Sequence, residues 1–80
     1  METGNIQQRF AICVDNAGYP DDLKTRTVYQ VLPDESAERS GYVRVIDETG
    51  EDYLYPATCF VFVEVTPEAA RALMVEAVNP

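Results

Sequence analysis

A proline divides the most apolar segment of the chain. The segment, residues 51–65, reads EDYLYPATCFVFVEV, with Pro56 inside it. Proline has no backbone N–H, so sheets accept it only at edges, strand ends and bulges. We therefore predict two strands joined by a tight turn at Pro56, rather than one long strand.

Three more segments of the chain have strand character. They are RFAICVD (9–15), TVYQVLP (27–33) and YVRVID (42–47), which alternate or are rich in β-branched and aromatic residues. The ETG sequence between the third and fourth strands predicts a hairpin turn in which Gly50 takes a positive φ. In DESAERSG (34–41) we predict one helical turn, capped by Asp34 or Ser36 and ended by Gly41.

The hydrophobic period changes after residue 65 and predicts a C-terminal helix. Thr66 is the expected N-cap, Pro67 the first helical residue, and the helix continues to about Ala77. Apolar residues recur at helical spacing as one stripe: Ala69, Ala70, Leu73, Met74, Ala77 and Val78. We expect this stripe to pack within the chain, so that Leu73→Ala costs about 2–3 kcal/mol and the protein is a monomer. The alternative is that the stripe forms a self-association face.

Length and charge limit the classes of function. The 80 residues form one expected domain, with strands in 9–65 and the helix in 66–78. The net charge of −8 disfavours binding to nucleic acids and to anionic membranes. No signal peptide or membrane helix is visible, so we expect a cytoplasmic protein.

Cys13 and Cys59 are expected to be buried, reduced thiols. The first and last strands could lie side by side and bring the two cysteines close, but proximity alone would not prove a disulfide.

The order of these elements resembles an SH3-like barrel, a mainly β fold of five short strands. Residues 16–22 correspond to its long first loop, DETGED to its distal hairpin, and YPATCF to the 3₁₀ turn before its last strand. The resemblance implies a five-stranded SH3-like barrel with one C-terminal α-helix. The stretch 29–57 also resembles a group of short uncharacterised bacterial proteins, which implies no activity.

The peptide site of SH3 domains transfers only in part to this sequence. Pro56 matches the turn proline, Tyr42 lies near the position of a tryptophan, and Asp21 and Asp22 stand in the first long loop. The other aromatic positions of the site are not aromatic here. The resemblance therefore gives little support to the binding of proline-rich peptides.

Tyrosine is the residue type most suited to a binding surface. The five tyrosines are Tyr19, Tyr29, Tyr42, Tyr53 and Tyr55. Alternation in DYLYP does not decide whether Leu54 or the pair Tyr53 and Tyr55 faces the core. If the pair points outward, it forms an exposed aromatic platform together with Tyr42; otherwise the rings are packed and only their hydroxyls meet water.

The sequence offers little for catalysis. There is no histidine, and neither cysteine has a CxxC partner. Acidic residues surround the hairpin at 47–52, without the spacing of a calcium loop. We expect a non-enzymatic interaction module that needs no cofactor and binds an unknown protein or peptide through Tyr19, Asp21, Asp22, Tyr42, Tyr53, Tyr55 and Pro56. The alternative is a metal-binding or small catalytic or regulatory protein that uses the acidic hairpin.

Overall fold

The computed structural model describes residues 9–74 and is mainly β. Its elements in chain order are β1 (Arg9–Cys13), β2 (Val28–Leu32), α1 (Glu35–Arg39), β3 (Tyr42–Ile46), β4 (Asp52–Pro56), a 3₁₀ turn (Ala57–Cys59), β5 (Phe60–Val63) and α2 (Pro67–Leu73). The five predicted strands and the short helical turn are therefore confirmed. A C-terminal helix is also present, but it ends at Leu73, before the predicted limit near Ala77, because Met74 has an extended backbone. Each strand begins or ends within two residues of its predicted limits, and Cys59 belongs to the 3₁₀ turn rather than to the last strand.

The strands form one antiparallel sheet in the order β4-β3-β2-β1-β5. The first and last strands are neighbours, with Cys13 opposite Phe60 and Phe10 opposite Val63. Within residues 9–74, β4 and β5 are the two edges, and no strand pairing joins them. The structure thus establishes an open five-stranded sheet.

One face of the sheet carries the hydrophobic core. Residues directly opposite each other on paired strands share a face, and the register places the core side chains on one side. The buried strand residues of this face are Ala11, Cys13, Tyr29, Val31, Val43, Val45, Tyr55 and Phe60. Leu23, from the loop between β1 and β2, is fully buried among them. Burying a leucine of this kind contributes roughly 1.5–3 kcal/mol.

The turns follow the chemistry expected from the sequence. Gly50 has φ of 86° in the β3–β4 hairpin. Any residue with a Cβ atom would be strained in this conformation, whereas glycine adopts it readily. Oδ1 of Asp34 accepts the Ala37 N–H and caps α1, which Gly41 follows with φ of 85°. Pro56 ends β4 and precedes the 3₁₀ turn, so the predicted turn between the last two strands is confirmed.

Helix α2 begins as predicted but packs loosely within the described residues. Oγ1 of Thr66 accepts the Ala69 N–H, and Pro67 is the first helical residue. The helix ends at Leu73 in the described part of the chain, and it has no buried side chain. Leu73 is half-buried, and Met74 is 39% exposed. Ala77 and Val78 of the predicted stripe lie outside the described residues.

Both described helices are short. Neither is long and apolar enough to cross a membrane.

Candidate functional site

Three tyrosine hydroxyls donate to three carboxylates around the β3–β4 hairpin. Tyr29 donates to Glu48 at 2.6 Å, Tyr53 to Glu51 at 2.8 Å, and Tyr55 to Asp47 at 2.5 Å. Hydrogen bonds to ionised acceptors are among the stronger ones in proteins. The pairs therefore connect β2 and β4 to the turn that joins β3 and β4.

Asp47 is the buried member of this group of carboxylates. Its Oδ1 accepts the backbone N–H and the hydroxyl of Thr49, and its Oδ2 accepts the hydroxyl of Tyr55. Burial opposes ionisation of this carboxyl, but the hydrogen bonds from Thr49 and Tyr55 outweigh it and lower the pKa of Asp47. Asp47 is thus an ionised, fully hydrogen-bonded anchor of the turn.

The tyrosines in these pairs stay neutral over a wide range of pH. Burial and the hydrogen bond to Glu48 raise the pKa of Tyr29 to about 12. Burial and the hydrogen bond to Asp47 raise the pKa of Tyr55. Tyr29 also accepts the Lys24 N–H at 2.8 Å, so its hydroxyl holds the first loop against the hairpin.

A shallow groove opens beside the hairpin, on the side of the first loop. Its volume is about 340 Å³, and we call it the tyrosine groove. Its lining residues are Tyr19, Asp22, Thr49, Tyr53, Leu54 and Tyr55. Four of the seven residues expected to bind a ligand therefore meet in one place, and Thr49 and Leu54 are additions that their sequence context did not reveal.

The first loop holds Tyr19 in the groove. The Tyr19 carbonyl accepts the N–H groups of Asp22 and Leu23, which makes a compact turn, and the buried Leu23 side chain fixes this turn to the core. The ring of Tyr19 then meets Tyr55 edge to face, with the centroids 5.0 Å apart and the planes at 87°. Tyr55 forms the buried floor of the groove, while Tyr53 is 50% exposed at its rim.

The charge of the groove is negative and lacks a described counter-charge. Asp22 is half-buried, and no side chain in residues 9–74 donates to its carboxylate. Its backbone carbonyl accepts the Glu48 N–H at 3.1 Å, so the position of the residue is fixed by the hairpin. No lysine or arginine lines the groove. The hydrogen bond to Glu51 raises the pKa of Tyr53, and the charges of Asp47 and Asp22 add to this effect.

The other expected binding residues lie elsewhere. Tyr42 is opposite Pro56 across β3 and β4, on the face of the sheet that carries Leu54 and Arg44. Arg44 there pairs with Asp34 at 2.8 Å and with Asp52 at 3.1 Å. Asp21 is exposed in the first loop and does not line the groove.

The alternation of DYLYP has a clear outcome. Tyr53 and Tyr55 share the core face with Val45 and Val43, and Leu54 points to the other side. Tyr55 is buried, so the exposed platform of Tyr53, Tyr55 and Tyr42 does not form. Tyr53 remains 50% exposed because β4 is an edge strand, with a neighbouring strand on one side only.

The carboxylates of the acidic hairpin already accept hydrogen bonds from other side chains of the protein. Asp47, Glu48 and Glu51 accept tyrosine hydroxyls, and Asp52 pairs with Arg44. In the part of the chain that the structure describes, no three acidic, histidine or cysteine side chains are grouped so as to hold a metal ion. Cys13 and Cys59 are separate buried thiols, and burial raises the pKa of each.

Comparison with family models, curated proteins and solved structures found no match to the chain.

Proposed function

We propose that the chain is a small, non-enzymatic interaction module with an SH3-like barrel architecture, which binds a segment of a partner protein in the tyrosine groove. Two features support the architecture: β1 pairs with β5, and a 3₁₀ turn follows Pro56. Both are features that the resemblance to an SH3-like barrel implies. The groove supports the function, because it combines accessible aromatic surface with a carboxylate.

The observation that carries the proposal is the setting of Tyr53. The residue is 50% exposed, its hydroxyl donates to Glu51 at 2.8 Å, and Tyr19 lines the same groove. Tyrosines are enriched at the centre of protein interfaces, since they bury much surface and lose little side-chain entropy. A held, half-exposed tyrosine is already oriented for contact before a partner arrives.

A selection of random peptides on the immobilised protein tests this function. We expect enriched peptides to shift backbone amide resonances of the groove residues in the wild-type chain. Tyr53→Ser should remove this binding. Tyr42→Ser is the matched control, because Tyr42 is a similarly exposed strand tyrosine on the other face of the sheet, and it should leave binding intact. The proposal fails if no peptide is enriched, or if the enriched peptides bind both variants equally.

A calcium titration tests the alternative of a metal-binding hairpin. Saturable amide shifts confined to residues 47–52 would favour that alternative over the interaction module. We expect none, because the four carboxylates there already accept hydrogen bonds from protein donors, and a cation would have to displace them.

A further inference from the structure

We propose that the partner segment presents a cationic side chain, lysine or arginine, and that this side chain enters the tyrosine groove and pairs with Asp22. The inference rests on the proposed function and adds the chemistry of the partner. It follows from the charge, the aromatic surface and the size of the groove.

The carboxylate of Asp22 supplies the charge that such a side chain needs. Asp22 is a partly buried residue that lines the groove, and no described side chain donates to its carboxylate. A carboxylate that loses part of its hydration gains from a paired donor, and an ion pair gains strength where water is partly excluded. The net charge of −8 adds a long-range attraction for basic segments and repels acidic ones.

The rings of Tyr53 and Tyr19 supply the second attraction. A cation near an aromatic face is drawn to the negative end of the ring quadrupole. The Tyr53 hydroxyl donates to Glu51, and sharing this proton with a carboxylate increases the electron density of the ring. The chain already shows this kind of contact elsewhere, since the Arg9 guanidinium lies 4.9 Å from the centroid of the Phe62 ring.

The size of the groove favours one side chain as the occupant. Its volume of about 340 Å³ is at the lower end of the range for sites that enclose small molecules. It opens between a loop and a hairpin, so the backbone of the partner can remain outside. Pro56 and Tyr42, which an SH3-type proline-rich ligand would contact, lie on the other face of β3 and β4, and neither of them lines the groove.

Four synthetic peptides test the inference directly. They share the blocked sequence Gly-Ser-Gly-X-Gly-Ser-Gly, in which X is arginine, lysine, citrulline or leucine. Citrulline keeps the shape of arginine and removes its charge. Titrated into the isotope-labelled full chain, the arginine and lysine peptides should shift amides of the tyrosine groove saturably. The citrulline and leucine peptides should bind with an affinity at least about fivefold lower than that of the arginine peptide.

Matched variants separate a local ion pair from the general negative field. Asp22→Asn should weaken binding of the arginine peptide about two- to fivefold. Asp21→Asn makes the same change in net charge at the adjacent exposed position and should leave the affinity within twofold. Unchanged spectra away from the loop show that both variants are folded.

The outcomes distinguish this inference from the function beneath it. Equal binding of the arginine and citrulline peptides, or equal losses in Asp21→Asn and Asp22→Asn, would overturn the cationic ligand. If no X peptide shifts the groove but randomly selected neutral peptides do, the interaction function stands and the cation is wrong. If neither class of peptide shifts the groove, both proposals fail.

Discussion

The hydroxyl of Tyr55 donates to Oδ2 of Asp47 at 2.5 Å, and both side chains are almost fully buried. The bond joins the penultimate residue of β4 to the first residue of the hairpin turn, while Thr49 donates to the other carboxylate oxygen from within the turn. Tyr55 is also the ring against which Tyr19 packs. One contact therefore sets both the shape of the hairpin and the floor of the tyrosine groove.

Removal of the Tyr55 hydroxyl should destabilise the fold. Tyr55→Phe keeps the ring and leaves one oxygen of a buried carboxylate without its donor, which should lower the free energy of unfolding by about 1–3 kcal/mol. Urea denaturation followed by circular dichroism measures the change. Tyr53→Phe is the control, because its bond to Glu51 is exposed, and it should unfold close to the wild-type midpoint. Equal midpoints for both variants would contradict the anchoring role.

Acid should weaken the protein through Asp47. Burial raises the pKa of this carboxyl, but the hydrogen bonds from Thr49 and Tyr55 bring it below its ordinary value. A carboxyl whose folded-state pKa is depressed stabilises the fold above its unfolded pKa of about 3.9, and this contribution disappears as pH falls through the lower folded-state value. When unfolding is measured from pH 7 to pH 2, the urea concentration at the midpoint should therefore decrease once the pH is below about 4.

Asp47→Asn should reduce this dependence on acid. Asp34 retains part of it, since the Ala37 N–H and Arg44 lower its pKa as well. The assignment to Asp47 is wrong if the variant, although less stable at pH 7, loses as much further stability on acidification as the wild type.

Two leucines should differ in their contribution to stability. Leu23 is fully buried in the core, so Leu23→Ala should cost about 2–5 kcal/mol. Leu73 is only half-buried in α2, and Leu73→Ala should cost about 1 kcal/mol, less than its sequence pattern predicts. Denaturation curves of the two variants give the comparison.

Sedimentation of the wild type and of Leu73→Ala tests the alternative role of the apolar stripe. If the wild type has twice the monomer mass and the variant does not, the stripe is a self-association face.

Glycine at position 50 should be needed for the hairpin. Gly50 has φ of 86°, so Gly50→Ala places a side chain in the left-handed region and should cost about 1 kcal/mol. Gly18→Ala is the matched control, because a Cβ there meets open space and its φ is not positive. The denaturation midpoint of Gly18→Ala should equal or exceed that of the wild type. A Gly50→Ala midpoint at the wild-type value would show that the hairpin relaxes without strain.

Both cysteines should be free and unreactive in the folded chain. Cys13 and Cys59 are buried thiols with raised pKa values, so little nucleophilic thiolate is exposed. Alkylation with iodoacetamide, counted by mass, should be slow in buffer and modify two thiols in urea. No modification of the urea-unfolded, unreduced protein would reveal a disulfide instead.

Local sequence signals predicted the elements of the fold well. Pro56, Gly50 and Thr66 each act through their own backbone or a neighbour within three residues, so their effects can be derived from the chain alone. The strands follow from alternation in the same way. The prediction that β1 could lie beside β5 depended on the resemblance, because no local signal in the sequence indicates which distant strand a given strand will pair with.

The groove could be predicted only as a set of residues. Leu23 lies in a loop without any hydrophobic period, yet its burial determines where Tyr19 points. Tyr29 and Glu48 meet across 19 positions of the chain, which no spacing rule indicates. The direction of Tyr53 was undecided because, on an edge strand, either face can reach water. Tertiary packing resolves each of these questions.

The pairing of β1 with β5 also bears on the order in which the protein folds. Val45 and Tyr53 face each other across a short hairpin, whereas Phe10 and Val63 come from opposite ends of the sheet-forming segment. Closing a long loop costs more chain entropy than closing a short one, so distant strands join after local hairpins. We therefore expect one edge of β1 to remain unpaired during synthesis until β5 has left the ribosome. The emerging chain should be most vulnerable to aggregation just before its last strand is available for pairing.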